Sequence, residues 1–321
     1  MAVELRRDLS LAQTRTTRIV CVSDTHNSSP KHGGWKLPKG DILIHAGDLT
    51  NQGTFSELQK TVQWIEDAPY ENKIVIAGNH DITLDTEFYA RNWQSFHNKG
   101  RQDAQTCRNL LTESSSIAYL ENSTAQIDLS SSTNLHTQLS IFGSPFVPSR
   151  GLWAFGYDHT ATTMWDNIPT ETDIVVTHTP PKGFCDKSPK WGDEAGCPQL
   201  TAALARVKPL LAVCGHCHEG RGAARVEWVS NQGNSIVRNE AEKMTEPQFK
   251  ATEVPLQSNG AGNQLKIPVD GCDLNKGKQA SRLNDTYVVN AAIVATSHGI
   301  KPKRFNQPIV IDIDLPTYVD N

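Results

Sequence analysis

The stretch DILIHAGD, residues 41–48, decides the fold of this chain. It is a short apolar run that closes on a glycine and an acidic residue. Apolar runs without alternation are typical of strands buried on both faces of a sheet. Asp48 follows the run at its carboxyl end, where open α/β sheets commonly bind their ligands. The stretch therefore predicts a buried strand that delivers a carboxylate to the edge of a sheet.

Four further runs share this design. They cover residues 18–23, 73–77, 173–177 and 210–214, and each is rich in Ile, Val, Leu or Ala. The side chains that follow the five runs all suit metal ions: Asp24, His26, Asp48, Asn79, His178, His216 and His218. Because the ends of buried strands emerge at the edge of the sheet, we expect these side chains to form a two-metal hydrolytic site.

The donor set narrows the choice of metal. It joins histidine nitrogens to carboxylate and amide oxygens, which favours two divalent ions such as Mn, Fe, Zn or Ni, with Mn preferred. Two such ions roughly 3.5 to 4 Å apart can share one carboxylate and one hydroxide. Asp48 is the natural bridging ligand, because the glycine before it keeps the backbone clear of both ions. The bridging water, with its pKa lowered to about 7, is the expected nucleophile.

Helical spacing recurs between the buried runs. Apolar side chains three to four positions apart follow Thr54, which can cap a helix. A helix between two of the runs makes a βαβ crossover. Helices are predicted over residues 55–67, in two pieces within 83–111, near 160–166 and over 197–207.

The remaining segments predict strands and a loop. Alternating runs within residues 117–146 indicate antiparallel hairpins, and residues 287–294 and 309–313 resemble strands that return to the core. Residues 231–277 are polar and lack a period, which predicts an inserted loop or a partly disordered excursion. We expect an N-terminal extension over residues 1–17 and a single domain over 18–321 that carries this polar insertion.

The composition is that of an ordinary soluble protein. It has 37% hydrophobic residues, 21% charged residues and a net charge of -4, with no basic excess that would indicate nucleic-acid binding. No stretch approaches the roughly 20 apolar residues of a membrane span, and residues 1–17 lack the apolar core of a secretion signal. Seven cysteines, an odd number, predict reduced thiols. We expect a cytoplasmic protein with no membrane partner, and the sequence indicates no particular protein partner.

These motifs carry a resemblance to a known superfamily. The motifs are DTH at 24–26, GD at 47–48, GNHD at 78–81, TH at 177–178 and GHCH at 215–218. In this order they resemble the motifs of the calcineurin-like metallophosphoesterases. A closer resemblance, to the small metallophosphoesterase-domain family related to the vertebrate brain phosphodiesterases, is carried by residues 41–48, 175–181 and 215–220. It covers roughly residues 18–224 and resumes near Tyr287.

The resemblance implies an α/β fold of four layers, with two facing mixed β-sheets flanked by helices. It implies one metal held by Asp24, His26, Asp48 and His218, and a second held by Asp48, Asn79, His178 and His216. His80 is implied as the catalytic group that contacts phosphate and protonates the leaving oxygen, a role that suits histidine near neutral pH. One departure stands out. Many relatives have an aspartate where this chain has Asn51, and a neutral amide is expected to support a protonated imidazole less well.

The resemblance implies hydrolysis of a small phosphoester substrate, with a nucleotide-type diester, such as a cyclic nucleotide, favoured through the closer family. The nearest alternative is a phosphomonoesterase or protein Ser/Thr phosphatase, which Asn51 disfavours because the protein phosphatases carry an aspartate there. A catalytically silent scaffold is the rival from another class. Loss of catalysis normally removes ligands, and all seven are present.

Several residues have simpler readings. Cys214 and Cys217 also fit a C-x-x-C redox pair, although the flanking histidines favour the metal site. His45, inside a buried strand, is a candidate for supporting a ligand. The aromatic cluster that contains Trp153 and Trp165 could stack on a base, but core packing is the default. Arg221 is expected to be a solvated loop charge.

Overall fold

The apolar runs form strands at the centre of the molecule. This computed structural model describes residues 14–31, 34–130, 135–158, 160–192, 194–229, 247–258, 262–267, 284–295 and 303–319. The first half of the chain contains β1 (Thr14–Val22), β2 (Ile42–Ala46), α1 (Phe55–Glu66), β3 (Asn72–Ile76), α2 (Thr86–His97), α3 (Ala104–Thr112), β4 (Ala118–Tyr119), β5 (Ser123–Ser130) and β6 (Leu135–Ser144). The second half contains β7 (Val147–Pro148), β8 (Gly156–Tyr157), β9 (Ile174–Thr177), α4 (Pro198–Val207), β10 (Leu211–Cys214), a 3₁₀ helix (His218–Gly220), β11 (Gly222–Trp228), β12 (Phe249–Glu253), β13 (Gln257–Ser258), β14 (Asn263–Ile267), β15 (Asp285–Asn290), β16 (Ile309–Pro316) and β17 (Tyr318–Val319).

Two mixed sheets contain most of these strands. The first has the order β13-β14-β16-β1-β2-β3-β4, and the second has the order β12-β11-β15-β10-β9-β6-β17, with β5 paired to β6. β1, β2 and β3 are mutually parallel, as are β9 and β10. Parallel neighbours end at the same edge of a sheet, so the predicted ligands follow strands that end together.

Hydrophobic side chains bind the sheets into layers. Alternate residues of a strand point to opposite faces of the sheet, so each sheet has a hydrophobic cluster on both of its faces. The cluster between the sheets includes Ile19, Ile44, Ile76, Ile141, Val176 and Val213. On its outer face the first sheet packs on α1 and α3 through Val20, Leu43, Leu58, Ile65 and Leu111, and the second sheet packs on α4 through Val175, Leu200 and Leu204. Two facing mixed sheets flanked by helices make four layers, which confirms the predicted fold.

Helix α1 begins where the sequence predicts. The Thr54 hydroxyl accepts from the Glu57 N–H at 3.3 Å, and the Glu57 carboxylate accepts from the Thr54 N–H at 3.2 Å. This reciprocal cap is worth about 1 kcal/mol. It also fixes the Glu57 carboxylate beside the loop that follows β2, close to the candidate site.

The predicted helix near residues 160–166 is wrong. This segment forms consecutive turns, with the Asp166 N–H donating to the Thr163 carbonyl at 3.2 Å. The carbonyls of Trp165 and Asp166 accept from the Arg206 guanidinium on α4. These contacts hold the segment against α4. Its own main-chain hydrogen bonds span three residues, as in isolated turns, and Pro169 has no N–H to donate to the Trp165 carbonyl as a helix would require.

The segment predicted as a polar loop contains strands. Residues 231–246, 259–261 and 268–277 lie outside the described residues, and the rest includes β12, β13 and β14. β14 pairs with β16 and buries Leu265 and Ile267, whereas every residue of β12 is exposed. The loop prediction is wrong for these parts, because strands near a sheet edge are polar on their solvent face. β1 also starts at Thr14, earlier than predicted, and residues 1–13 are not described.

The helix lengths and the cysteine side chains relate to two predictions from composition. No helix in the described ranges is both long and apolar enough to cross a membrane. Cys272 lies outside those ranges, and the other six cysteines are free thiols, all buried except the half-buried Cys185. Cys214 and Cys217 are among them, so the C-x-x-C sequence forms no disulfide here.

Candidate metal centre

Sharp turns place the predicted ligands at the strand ends. After β1, β2 and β10 the backbone takes a positive φ at Asp24 (51°), His26 (42°), Asp48 (52°) and His216 (65°). Side-chain-bearing residues rarely adopt this conformation, and it is concentrated at functional sites. The turns redirect these residues from the strand direction toward a common point between the sheets.

Two glycines let the turns approach one another. A Cβ on Gly78 would clash with the Asp48 side chain, and a Cβ on Gly215 would clash with that of Asp24. The glycines of the GNHD and GHCH motifs therefore make room for the carboxylates of the neighbouring turns.

The first group of side chains comes from both sheets. The His218 Nε2 lies 3.2 Å from the Asp24 Oδ1 and 3.3 Å from the His26 Nε2. The His26 Nδ1 is 3.2 Å from the Thr50 carbonyl, which can only accept, so this nitrogen carries the proton. The His26 Nε2 then directs a lone pair into the group. Neutral imidazoles with one nitrogen fixed on a carbonyl are typical metal ligands.

The second group is built around His178. Its Nδ1 donates to the Ala46 carbonyl at 2.8 Å, while its Nε2 lies 3.2 Å from the Asn79 Oδ1 and 3.3 Å from the Asp48 Oδ1. If the ring is neutral, its lone pair faces two oxygens, and only a cation between them makes the contact favourable. Burial opposes a charge on the ring, but Asp48 outweighs burial and raises the pKa of His178 to about 9. The geometry therefore fits a bound metal ion, and the raised pKa favours the protonated ring in the metal-free protein.

Asp48 joins the two groups through its two oxygens. Its Oδ1 faces the His178 Nε2 at 3.3 Å, and its Oδ2 faces the His26 Nε2 at 3.7 Å. The main-chain N–H of His80 also donates to Oδ1 at 2.8 Å. One oxygen directed at each group suits a carboxylate that two metal ions would share.

The charges of the buried groups also suit metal binding. Asp24 and His178 are fully buried, and Asp48 is 2% exposed. Burial disfavours the Asp24 carboxylate, but His218 outweighs it and holds the pKa of Asp24 well below its usual range. Burial lowers the pKa of His26 and of His216 to about 3. Ionised carboxylates and neutral imidazoles are the forms that bind metals.

All seven predicted ligands lie together. Asp24, His26 and His218 have ligand atoms within 4.8 Å of one another, and so do Asp24, Asp48 and His178. Asn79 contacts the His178 Nε2, and the His216 ring centroid lies 5.1 Å from that of His178. The His216 N–H donates to both Asp24 oxygens. The residues present therefore fit a pair of divalent ions.

His80 lies beside both groups and is held by the main chain. Its Nδ1 donates to the Asn51 carbonyl at 2.8 Å, whereas the Asn51 side chain donates to the Glu57 Oε1 at 3.0 Å. The bond that anchors the imidazole thus comes from a main-chain carbonyl that any residue would supply, and weaker support of a protonated His80 by a neutral amide at position 51 stays a prediction. The Trp153 ring covers the His80 ring at 4.1 Å between centroids.

Asp81 is the last residue of the GNHD motif, and the motif alone indicates no role for it. Its carboxylate accepts from Leu49 N (3.1 Å), Thr50 N (2.9 Å), Thr50 Oγ1 (2.7 Å) and Gly78 N (2.8 Å). The three bonds to Leu49 and Thr50 fasten the turn after β2 to the turn after β3, and the bond to Gly78 closes the latter turn. Burial and the Asp48 charge raise the pKa of Asp81 to about 7, against the effect of its donors.

Two tryptophans and a supporting histidine complete the surroundings. Trp191 stacks on His216 with 5.0 Å between ring centroids and 20° between planes. It belongs to none of the five sequence motifs, so the sequence did not predict this contact. Trp153 is half-buried and packs both on His80 and against the hydrophobic cluster on the outer face of the first sheet. The fully buried His45 has its Nε2 2.9 Å from the hydroxyl of Thr25, between Asp24 and His26. Arg221 is also more buried than expected and donates to the Gln307 carbonyl at 2.7 Å.

A cavity of about 200 Å³ opens over the predicted ligands. One side is formed by the groups already described, including Asp48, Asn79 and His80, and the other by the loops that carry Trp153 and Trp191. The metal site is therefore next to a space that a small molecule can enter.

Similarity to known proteins covers the part of the chain that carries this site. A model of the family described as Calcineurin-like phosphoesterase matches residues 17–220. The chain is 45% identical to Probable rhamnogalacturonate lyase C of Emericella nidulans over 66% of this chain and 18% of that protein. It is 38% identical to Metallophosphoesterase domain-containing protein 1 of Homo sapiens over 64% of this chain and 62% of that protein. It is 34% identical to a UPF0046 protein of Caenorhabditis elegans over 70% of this chain and 69% of that protein. The matches to the first two relatives thus span less than two thirds of their lengths.

Proposed function

The chain belongs to the calcineurin-like phosphoesterase family, and we propose that it is a hydrolase that uses two divalent metal ions to cleave a phosphodiester. The observation that carries the proposal is the position of Asp48, with one carboxylate oxygen directed at His178 and the other at His26. A single carboxylate between two groups of donors is the ligand that a pair of metals shares.

The proposed metal ligands form two sets with one member in common. Asp24, His26, Asp48 and His218 would hold one ion, and Asp48, Asn79, His178 and His216 would hold the other. When bound, such ions lower the pKa of a coordinated water and neutralise charge on the phosphate. The mixture of nitrogen and oxygen donors supports Mn, Fe, Zn or Ni, and Mn is the ion that we favour for the first test.

The chain's own contribution to the reaction centres on His80. Its Nδ1 proton is committed to the Asn51 carbonyl, so a second proton on Nε2 would be the one available to the leaving oxygen. The packing of Trp153 on the ring limits its rotation and shields that side from water. We assign His80 as the general acid.

A nucleotide-type diester, including a cyclic one, is the substrate that we favour. The support is the sequence resemblance to the brain phosphodiesterase-related family and the small cavity beside the metal groups. The walls of that cavity combine aromatic and cationic side chains, which suit a phosphorylated organic molecule.

Hydrolysis of two chromogenic esters tests the proposal. Metal-stripped protein, resupplied with Mn²⁺, should hydrolyse bis-p-nitrophenyl phosphate faster than p-nitrophenyl phosphate, and Asp48→Ala should abolish both rates. A preference for the monoester would instead indicate a phosphomonoesterase. No turnover of either ester, with two metals bound per chain, would indicate a scaffold or a narrow substrate range.

A further inference from the structure

The outer wall of the cavity is built on a tight turn. Ser188 and Gly192 exchange two main-chain hydrogen bonds, at 3.0 and 2.8 Å, and the turn between them presents Lys190 and Trp191. Trp191 stacks on His216, a predicted metal ligand. The turn is thereby attached to the metal centre by its aromatic ring.

Two cations lie over the same tryptophan. The Arg150 guanidinium carbon is 5.1 Å from the Trp191 ring centroid, and the Lys190 Nζ is 5.6 Å from it. One guanidinium nitrogen of Arg150 also donates to the Ala195 carbonyl at 3.2 Å. The tryptophan and the carbonyl orient the planar guanidinium, and other N–H groups remain for a ligand.

The charges around the cavity favour an anion at this wall. Among the residues that the structure describes, Arg150, Lys190 and Glu219 line the cavity and are exposed, so two cations face one carboxylate there, apart from the predicted metal ligands. The nearby Glu194 pairs with Lys182 instead, at 3.4 Å. Within the described part of the chain, neither Arg150 nor Lys190 forms an ion pair.

We propose that Arg150 and Lys190 form a second anion-binding subsite, which selects a phosphodiester whose remaining part carries a further phosphate. The inference rests on the proposed function, because the metal centre would bind the phosphate that is cleaved. Arg150 and His216 both contact the Trp191 ring, at 5.1 and 5.0 Å from its centroid, so the guanidinium lies within about 10 Å of the predicted metal ligand. A nucleoside with a phosphate at each end can span that distance. A guanidinium with free N–H groups matches phosphate oxygens, and Lys190 adds a point charge.

Two nucleotide esters that differ by one phosphate test the subsite. They are thymidine 5′-(p-nitrophenyl phosphate) and the same ester with a phosphate on the 3′ oxygen, and both release p-nitrophenol. The Mn²⁺-loaded protein should show kcat/KM about tenfold higher for the second ester, mainly through a lower KM. In the Arg150→Ala/Lys190→Ala variant the ratio of the two values should fall toward one, and Arg150→Lys should restore part of it.

Arg101→Ala is the matched control. Arg101 is also an exposed arginine over a tryptophan, 5.7 Å from the Trp93 ring centroid, but it does not line this cavity. This variant should keep the full ratio. A ratio near one in the unmodified protein, or an unchanged ratio in the double variant, would overturn the subsite.

A binding measurement separates this proposal from the proposed function. Calorimetry should show tighter binding of thymidine 3′,5′-bisphosphate than of thymidine 5′-phosphate, and the double variant should lose the difference. If neither ester is hydrolysed but this difference in affinity persists, the proposed catalysis fails and the subsite stands. Equal affinities in the unmodified protein would contradict the subsite whatever the turnover.

Discussion

At the scale of single residues, the site depends on histidine rings whose Nδ1 atom is hydrogen-bonded to a main-chain carbonyl. His26 and His178 each use Nδ1 on a main-chain carbonyl, which leaves Nε2 for the centre of the site. His80 uses Nδ1 in the same way, on the Asn51 carbonyl. The main chain therefore sets the tautomers, and the strand-end turns that supply these carbonyls are part of the chemistry.

The role of His80 predicts how rates depend on the leaving group. His80→Ala should lower turnover by roughly 10² to 10⁴ for a leaving group that needs a proton. The loss should nearly vanish for p-nitrophenolate, which leaves without one. This can be measured with a series of substituted phenyl esters of thymidine 5′-phosphate. The turnover rate of the variant should depend more steeply on the pKa of the leaving group than that of the unmodified protein. Equal slopes in both proteins would remove the general-acid role.

Because His80 is held by the main-chain carbonyl of Asn51, we expect activity to tolerate replacement of the Asn51 side chain. Asn51→Ala keeps the main-chain acceptor for His80, so kcat should change by less than about threefold. The lost bond to Glu57 should cost about 1 kcal/mol of unfolding free energy, measured by urea denaturation. A fall in kcat as large as that of His80→Ala would show that the amide itself supports the imidazole.

The sequence predicted the site residues that belong to motifs, and it did not predict the site residues that lie outside them. Motif spacing predicted the seven proposed ligands, which the structure brings together, because each follows a buried strand that the apolar pattern reveals. Arg150 and Trp191 follow no such strand and lie far apart in sequence, and their contact depends on how two loops fold back. A pattern within one segment cannot predict that kind of contact.

At the scale of elements, the strand-end turns work as a connected unit. Asp81 fastens the turn after β2 to the turn after β3 through three hydrogen bonds. These turns carry Asp48 and Asn79. The position of one proposed metal ligand relative to another thus depends on a carboxylate that is not itself a proposed ligand.

Removing this connection should weaken both folding and metal binding. Asp81→Ala leaves buried N–H groups without an acceptor, so we expect a loss of about 3 kcal/mol of unfolding free energy. Manganese affinity should fall as well, since the turns separate. Urea denaturation and Mn²⁺ calorimetry measure the two effects, with the exposed Asp166→Asn as control. Unaltered metal affinity in a destabilised variant would show that the turns hold their positions without Asp81.

Elements were predicted well where they are buried and poorly at the periphery. The apolar pattern found β1, β2, β3, β9 and β10, as well as helices α1 to α4. It misplaced a helix at residues 160–166, where the main-chain hydrogen bonds close isolated turns, and it missed the strands within residues 231–277. Edge strands carry polar residues on their open face, so their composition resembles that of a loop.

At the scale of the whole molecule, the site lies where the two sheets meet. Asp24, His26, Asp48 and Asn79 follow strands of the first sheet, and His178, His216 and His218 follow strands of the second. Neither sheet carries a complete set of proposed ligands. Metal binding should therefore stabilise the packing of one sheet on the other as well as the turns.

The buried histidines predict how the metal-free protein responds to acid. Burial lowers the pKa of His26, His45 and His216 to about 3, so the unfolded chain binds protons that the folded chain does not. Their stabilisation is present above the ordinary value of 6.5 and is lost as the pH falls toward 3. The raised pKa values of His178, about 9, and Asp81, about 7, act in the opposite direction, since their stabilisation is lost as the pH rises.

Urea denaturation at a series of pH values measures the net effect of these lowered and raised pKa values on stability. Three depressed groups outweigh Asp81 on the acid side, so the midpoint should be highest near about pH 6.5 and fall toward about pH 4.5. It should also fall, by less, toward about pH 9 as His178 loses its proton. His45→Gln should reduce the acid-side fall without abolishing it. A midpoint that does not change with pH would contradict the assigned charge states.

The most direct test of the central claim is a titration of metal-stripped protein with Mn²⁺, in which bound metal and bis-p-nitrophenyl phosphate hydrolysis are measured on the same samples. Activity should rise until two ions are bound per chain, and Asp48→Ala should lower the occupancy of both sites and remove the activity. Full activity with a single bound ion, or full occupancy and activity in Asp48→Ala, would contradict a site in which two metals share Asp48.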